Sequence, residues 1–93
     1  MILSFNCKET EKIFNRQYSK KFSVDLHRVA LRKLWMIHAA TSINELRVPP
    51  SNRLEALKGS KKGQHSIRIN DRYRICFKWI NGNASEVEIV DYH

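Results

Sequence analysis

His65-Ser66-Ile67-Arg68-Ile69-Asn70 and, after Asp71-Arg72, Tyr73-Arg74-Ile75-Cys76-Phe77-Lys78-Trp79-Ile80 carry the reading that decides the fold. In both, apolar and polar residues alternate with a period of two, which on a pleated backbone sends one set to each face. They read as two half-buried strands. Asn81-Gly82-Asn83 follows at once, and a two-residue turn with positive φ at Asn and Gly would fold the chain back into a last strand over residues 86–90. Upstream, Gly59-Ser60-Lys61-Lys62-Gly63 reads as a basic loop and residues 53–57 as a further strand. Pro49-Pro50 ends whatever regular structure precedes it, since proline removes a donor and pushes its predecessor towards extended geometry.

Before the prolines the period changes. Leu26, Val29, Ala30, Leu34, Ile37 and Ala40 fit a helical stripe, which predicts a helix over residues 24–40 with Ser23 as N-cap and with Arg28, Arg32 and Lys33 mostly outside. Residues 42–46 add a helical turn. A shorter helix is expected over residues 8–18, with Asn6 and Glu9 spaced as a capping box and Lys12 and Arg16 late in the segment. Residues 2–5 are a short apolar stretch without helical spacing, most simply a first strand. Strand, two helices and then a run of strands imply an α+β domain, two N-terminal helices packed on one face of a mostly antiparallel sheet.

The chain has 93 residues, 42% of them apolar, enough for one domain over residues 1–93 and too apolar for disorder. The longest apolar run, residues 34–37, is far short of the roughly 20 residues of a membrane span, and no signal-peptide pattern opens the chain. A cytoplasmic protein without membrane partners is expected. Cys7 and Cys76 then read as reduced structural thiols, and neither they nor His27, His38, His65 and His93 show metal-ligand spacing. No metal and no cofactor are expected. His27 and His38 read as surface or boundary residues of the long helix, and His65, alternating with Ile67 and Ile69, as structural.

Seventeen Lys and Arg against nine Asp and Glu give a formal charge of +8. That attracts polyanions, although an acidic protein would satisfy it equally. The polar face of the central strand carries Arg74 and Lys78, and its neighbour adds Arg68, a basic sheet surface that suits anions or simply stays solvated. The terminal Asp91-Tyr92-His93 supplies hydrogen-bonding and proton-transfer groups. Beside cations, such a set suits cleavage of RNA by its own 2′-OH, with a base, a charge stabiliser and an acid for the leaving 5′ oxygen. A frayed chain end is the plainer account of the same residues.

Three segments together, Asn52-Arg53-Leu54-Glu55-Ala56-Leu57-Lys58-Gly59, Gln64-His65-Ser66-Ile67-Arg68-Ile69-Asn70-Asp71-Arg72-Tyr73-Arg74-Ile75 and Val87-Glu88-Ile89-Val90-Asp91-Tyr92-His93, resemble the HigB-type toxins of the RelE/ParE superfamily. The resemblance implies a RelE-like toxin that enters the A site of the 30S subunit, against 16S rRNA, and cleaves messenger RNA. It implies a cognate helix-turn-helix antitoxin as well. By position it assigns Lys58 and Arg74 to the phosphate and Asp91, Tyr92 and His93 to a catalytic cluster. Glu55 stands where some relatives carry histidine, so it serves as base or merely pairs with Arg53 or Lys58. Lys61, Lys62, Arg68, Arg72 and Lys78 are the candidates for RNA and ribosome contact. A ParE-like block of DNA gyrase is the rival expectation from another functional class.

Overall fold

In the computed structural model, which describes residues 1–92, helix α1 (Lys8–Phe14) and helix α2 (Val24–Ala39) precede strands β1 (Glu55–Ala56), β2 (Gln64–Arg68), β3 (Tyr73–Ile80) and β4 (Asn83–Asp91). The four strands form one antiparallel sheet in the order β1-β2-β3-β4. The expected α+β class is borne out.

The long helix forms where its stripe predicts. Ser23 caps it by accepting from the Leu26 N–H at 3.2 Å. Leu26, Ala30, Leu34 and Ile37 are buried against Ile67, Ile75, Phe77 and Val87 from the sheet. At about 1.5–3 kcal/mol for each large side chain removed from water, this layer is the main source of stability. Lys33 departs from expectation: it points inward and is 4% exposed.

The shorter helix is seven residues and stops well before Tyr18. Arg16 takes a left-handed conformation (φ 62°), and the N–H groups of Arg16 and Gln17 fold back onto the carbonyls of Ile13 and Lys12 at 3.0 and 2.8 Å, ending the helix without a glycine. Its N-cap is Cys7, which makes no side-chain bond, so the anticipated Asn6–Glu9 capping box does not form. Such a box closes instead at Ser42 and Glu45, around the 3₁₀ turn Ile43–Arg47.

The anticipated strand at residues 2–5 is reduced to two parallel bridges, Ile2 with Ala84 and Phe5 with Val87. Between them β4 carries one extra residue at a bulge, with Glu86 at φ 52°. The Glu86 N–H then finds Ser4 Oγ at 2.9 Å, and further along the same edge Ile89 N–H donates to Thr10 Oγ1 at 3.0 Å. An edge that would otherwise offer unpaired N–H groups is thereby covered by the N-terminal segment and α1. At the other end of β4, Asn81 and Gly82 both have positive φ, as the hairpin turn requires.

Candidate functional site

Alternation places Ser66 and Arg68 of β2, and Arg74 and Cys76 of β3, on the sheet face away from the helices, where the register sets Arg68 opposite Arg74 and Ser66 opposite Cys76. This face is not a flat, solvated basic surface. It is hollowed into a cavity of about 460 Å3 that Arg74 lines. Arg53, Glu55, Arg68, Asn70, Asp71 and Tyr92 line it as well.

Arg74 is only 9% exposed. Its Nε donates to Ser66 Oγ at 2.8 Å, and Nη2 donates to the Arg53 carbonyl at 2.6 Å and the Ser66 carbonyl at 3.3 Å. The Glu55 carboxylate lies 3.2 Å from Nη2. A buried guanidinium is tolerated only where its donors are met in this way, so the sequence-based picture of Arg74 on a partly exposed face is corrected. Glu55 pairs with Arg74, and not with Arg53 or Lys58 as its neighbours in sequence suggested. Short β1 holds it there, with Glu55 opposite Ser66.

Tyr92 closes the cavity. Its ring stands 5.8 Å from the Arg74 guanidinium carbon, and its backbone N–H is fixed to the Arg72 carbonyl at 2.8 Å. Burial, the adjoining Cys76 thiol and Glu55 push the phenol above its ordinary value, against the pull of Arg74. The phenol therefore stays a donor at neutral pH. Asp91 belongs to β4 and accepts from Arg72 Nε at 2.9 Å. Residues 91 and 92 are thus tied to the sheet and are not a frayed end. His93 lies outside the described residues.

The remaining candidates divide. Arg68 is paired with Asp71, and Lys78 with Glu86 at 2.6 Å, so three of the anticipated RNA-binding cations, counting Arg72, are already matched by carboxylates. Lys58 and Lys62 are exposed around the 3₁₀ turn Gly59–Lys61, and Lys61 is half-buried. Among the described residues none of these three lysines has a carboxylate partner, and none lines the Arg74 cavity.

Sequence reasoning missed Arg53, Ser66 and Cys76. Ser66 and Cys76 could have been found from strand register, which puts them beside Arg74. Arg53 carried no such signal, because its role depends on a left-handed backbone (φ 45°, ψ 55°) that aims its carbonyl at the guanidinium. Burial raises the Cys76 thiol from its ordinary value, so it is a packing group, and both cysteines are free. His65 stacks on Phe77 with its Nδ1 buried and unbonded among the described residues, and burial together with Arg47 lowers its proton affinity. It is structural, as its alternation suggested.

Among the described residues no group of three or more His, Cys, Asp or Glu side chains is placed to hold a metal ion, and no helix is long and apolar enough to cross a membrane. A second cavity of about 420 Å3 lies between the helices, against Ile13, Tyr18, Val24 and Leu31, and brings no carboxylate beside its Arg16 and Arg28. What the Arg74 cavity can do chemically is bind an anion edge-on: a fixed guanidinium, a neutral phenol donor and an adjacent carboxylate converge there.

Residues 3–93 match a family profile described as RelE-like toxin of type II toxin-antitoxin system HigB. The chain is 36% identical over 85 residues to Toxin HigB-1 of Vibrio cholerae, covering 90% of each. It is 35% identical over 94 residues to Endoribonuclease HigB of Proteus vulgaris, covering all of both. In structure it resembles a mutant of YafQ from E. coli with a TM-score of 0.66, over 99% of this chain and 92% of that one, at 12% identity.

Proposed function

The chain belongs to the HigB-like toxins of type II toxin-antitoxin systems, and from that premise we propose that it is an endoribonuclease that cuts messenger RNA in the ribosomal A site. The observation that carries this reading is the buried, four-way anchored Arg74 with Glu55 and Tyr92 beside it. A protein that only blocked its target would gain nothing from a desolvated guanidinium held beside a base, and the HigB relatives likewise favour the nuclease over a ParE-like gyrase inhibitor.

The chemistry is an in-line attack of a ribose 2′-OH on the adjacent phosphorus. Arg74, already stripped of water and oriented by Ser66 and the Arg53 carbonyl, has its remaining donors for the non-bridging oxygens as charge builds there. Its surroundings need not reorganise when the phosphorus becomes five-coordinate. The Tyr92 phenol, kept protonated, donates a further bond to that phosphate. Glu55 is within reach of the same centre and takes the 2′-OH proton. His93, two residues after the Asp91 carboxylate that accepts from Arg72, is assigned the protonation of the leaving 5′ oxygen. Lys58, with Lys61 and Lys62 on the same loop, supplies unpaired charge for the message and 16S rRNA. The ribosome aligns the nucleotides, which a sheet this small cannot do. The cognate antitoxin is a helix-turn-helix protein, and the toxin acts in the cytoplasm.

The test is a translating extract to which purified protein is added and in which messenger-RNA 5′ ends are mapped. New ends within translated codons are expected. Intact messages with gyrase-linked DNA breaks would replace this reading with the inhibitor. Glu55→Gln refines it: a loss of about 100-fold in single-turnover cleavage is expected of a base, whereas full activity would reduce Glu55 to a partner of Arg74.

A further inference from the structure

Lys33 is a lysine facing the core from the middle of α2 and 4% exposed, and no carboxylate among the described residues pairs with it. Its Nζ donates to Asn52 Oδ1. Asn52 is fully buried too, and its Nδ2 donates to the Leu46 and Val48 carbonyls at 3.1 and 3.4 Å. The next residue is Arg53, whose left-handed turn presents the carbonyl that accepts from Arg74. One continuous path of hydrogen bonds and a single peptide thus runs from the 16-residue helix to the guanidinium at the floor of the cavity.

We propose that Lys33 and Asn52 are positioning residues for Arg74: their buried bond locks the segment before β1 so that the Arg53 carbonyl holds the guanidinium in its working orientation. The inference rests on the nuclease reading for its functional readout, not for its geometry. Stability gives a reason for Asn52, whose amide meets two carbonyls, but none for an uncompensated lysine beside it. A buried polar pair exchanged for apolar residues of similar size is often neutral or stabilising, whereas a lysine without a counter-charge is costly to bury. The amine bears that cost visibly, since burial and then Arg32 and Arg68 lower its proton affinity. What apolar packing cannot supply is direction. Asn52 accepts from Lys33 and donates to the Leu46 and Val48 carbonyls and the Met36 sulfur, tying its own segment to α2 and to residues 46–48 around a peptide that would otherwise have to hold a positive φ unaided.

The experiment uses the full chain and follows the Arg74 side-chain N–H signals by NMR, with single-turnover cleavage on programmed ribosomes and thermal unfolding measured in parallel. In Lys33→Met the Arg74 Nη signals should broaden through faster rotation, and cleavage at saturating ribosomes should slow about 10- to 100-fold with half-saturation unchanged, as misplaced catalytic groups do. The double variant Lys33→Met, Asn52→Leu, which removes both ends of the bond but also the donor to the Leu46 and Val48 carbonyls, should keep the slow rate and broadened signals. Wild-type Arg74 signals in Lys33→Met, or a wild-type rate and signals in the double variant, would overturn the proposal. Should Lys33→Met fail to fold, the double variant decides alone. If the wild-type protein cleaves nothing, the nuclease reading fails while the Arg74 signals still decide this one.

Discussion

Arg74 and the lysines at positions 58, 61 and 62 are all cations assigned to RNA, but they are built in opposite ways. Arg74 is buried, with acceptors on three sides and a carboxylate at 3.2 Å. Lys58 and Lys62 are exposed on either side of the turn Gly59–Lys61, Lys58 just before Gly59 and Lys62 just before Gly63, two glycines with positive φ. A solvated charge is worth little at one point but adds to long-range attraction, and salt screens it. A desolvated, preoriented charge attracts little at a distance and acts strongly on whatever sits against it. The difference teaches that counting basic residues merges two jobs: finding the ribosome and stabilising the reacting phosphate.

The strongest challenge to that division concerns the proposed acid. His93→Gln should cut single-turnover cleavage by about 100- to 10000-fold while ribosome binding and thermal unfolding stay as they are. A fully toxic His93→Gln would remove the acid from the mechanism. Next, Arg74→Ala should lower the rate about 100- to 1000-fold, again without weakening ribosome binding. Because Ser66 Oγ and the Arg53 carbonyl then lose their partner, unfolding should cost about 1–3 kcal/mol less, measured by urea denaturation. A variant that cleaved normally but failed to bind would abolish the distinction.

The loop makes the complementary case. Lys61→Ala with Lys62→Ala should weaken ribosome binding at low salt by about tenfold and flatten its salt dependence, while cleavage at saturating ribosomes holds. The smallest effect concerns stability. Lys33 has a native proton affinity below the ordinary 10.5, so in the window beneath 10.5 the unfolded chain binds more protons than the folded one. Lys33 therefore makes stability rise with pH through that window, and Lys33→Met should remove this contribution from the alkaline limb of the unfolding curve. An unaltered pH dependence would place the Lys33 amine in water.

Much of this is legible in the sequence because the patterns are local. The stripe from Leu26 to Ile37, the Ser23 cap and the Asn81-Gly82 turn each depend on neighbours a few residues away, and each forms as expected. Lys33 escapes such a reading because a stripe ranks residues by type, and only the tertiary position of Asn52 gives an inward lysine its partner. Helix α1 reads too long because its stop signal is a left-handed arginine, where the pattern demands glycine or asparagine. In the cavity, family likeness supplies Arg74, Glu55 and Tyr92, and strand register explains why they meet. The Arg53 carbonyl is invisible, since a backbone acceptor leaves no mark in residue type.

Strand β4 lies between β3, reached by a two-residue turn, and the first six residues of the chain, reached only across a separation of 82 positions at Ser4 and Glu86. Closing so long a loop costs about 4 kcal/mol of chain entropy, while the hairpin costs far less. The hairpin of β3 and β4 is therefore expected to form early, with the N-terminal segment docking late, and pulse-labelled amides at Leu3 and Asn6 should become protected after those of β3. Folding in this protein is thus a closure in which its opening residues wait for its last strand, and the sheet edge is sealed only after the hairpin that carries Arg74 and leads to Tyr92 is in place.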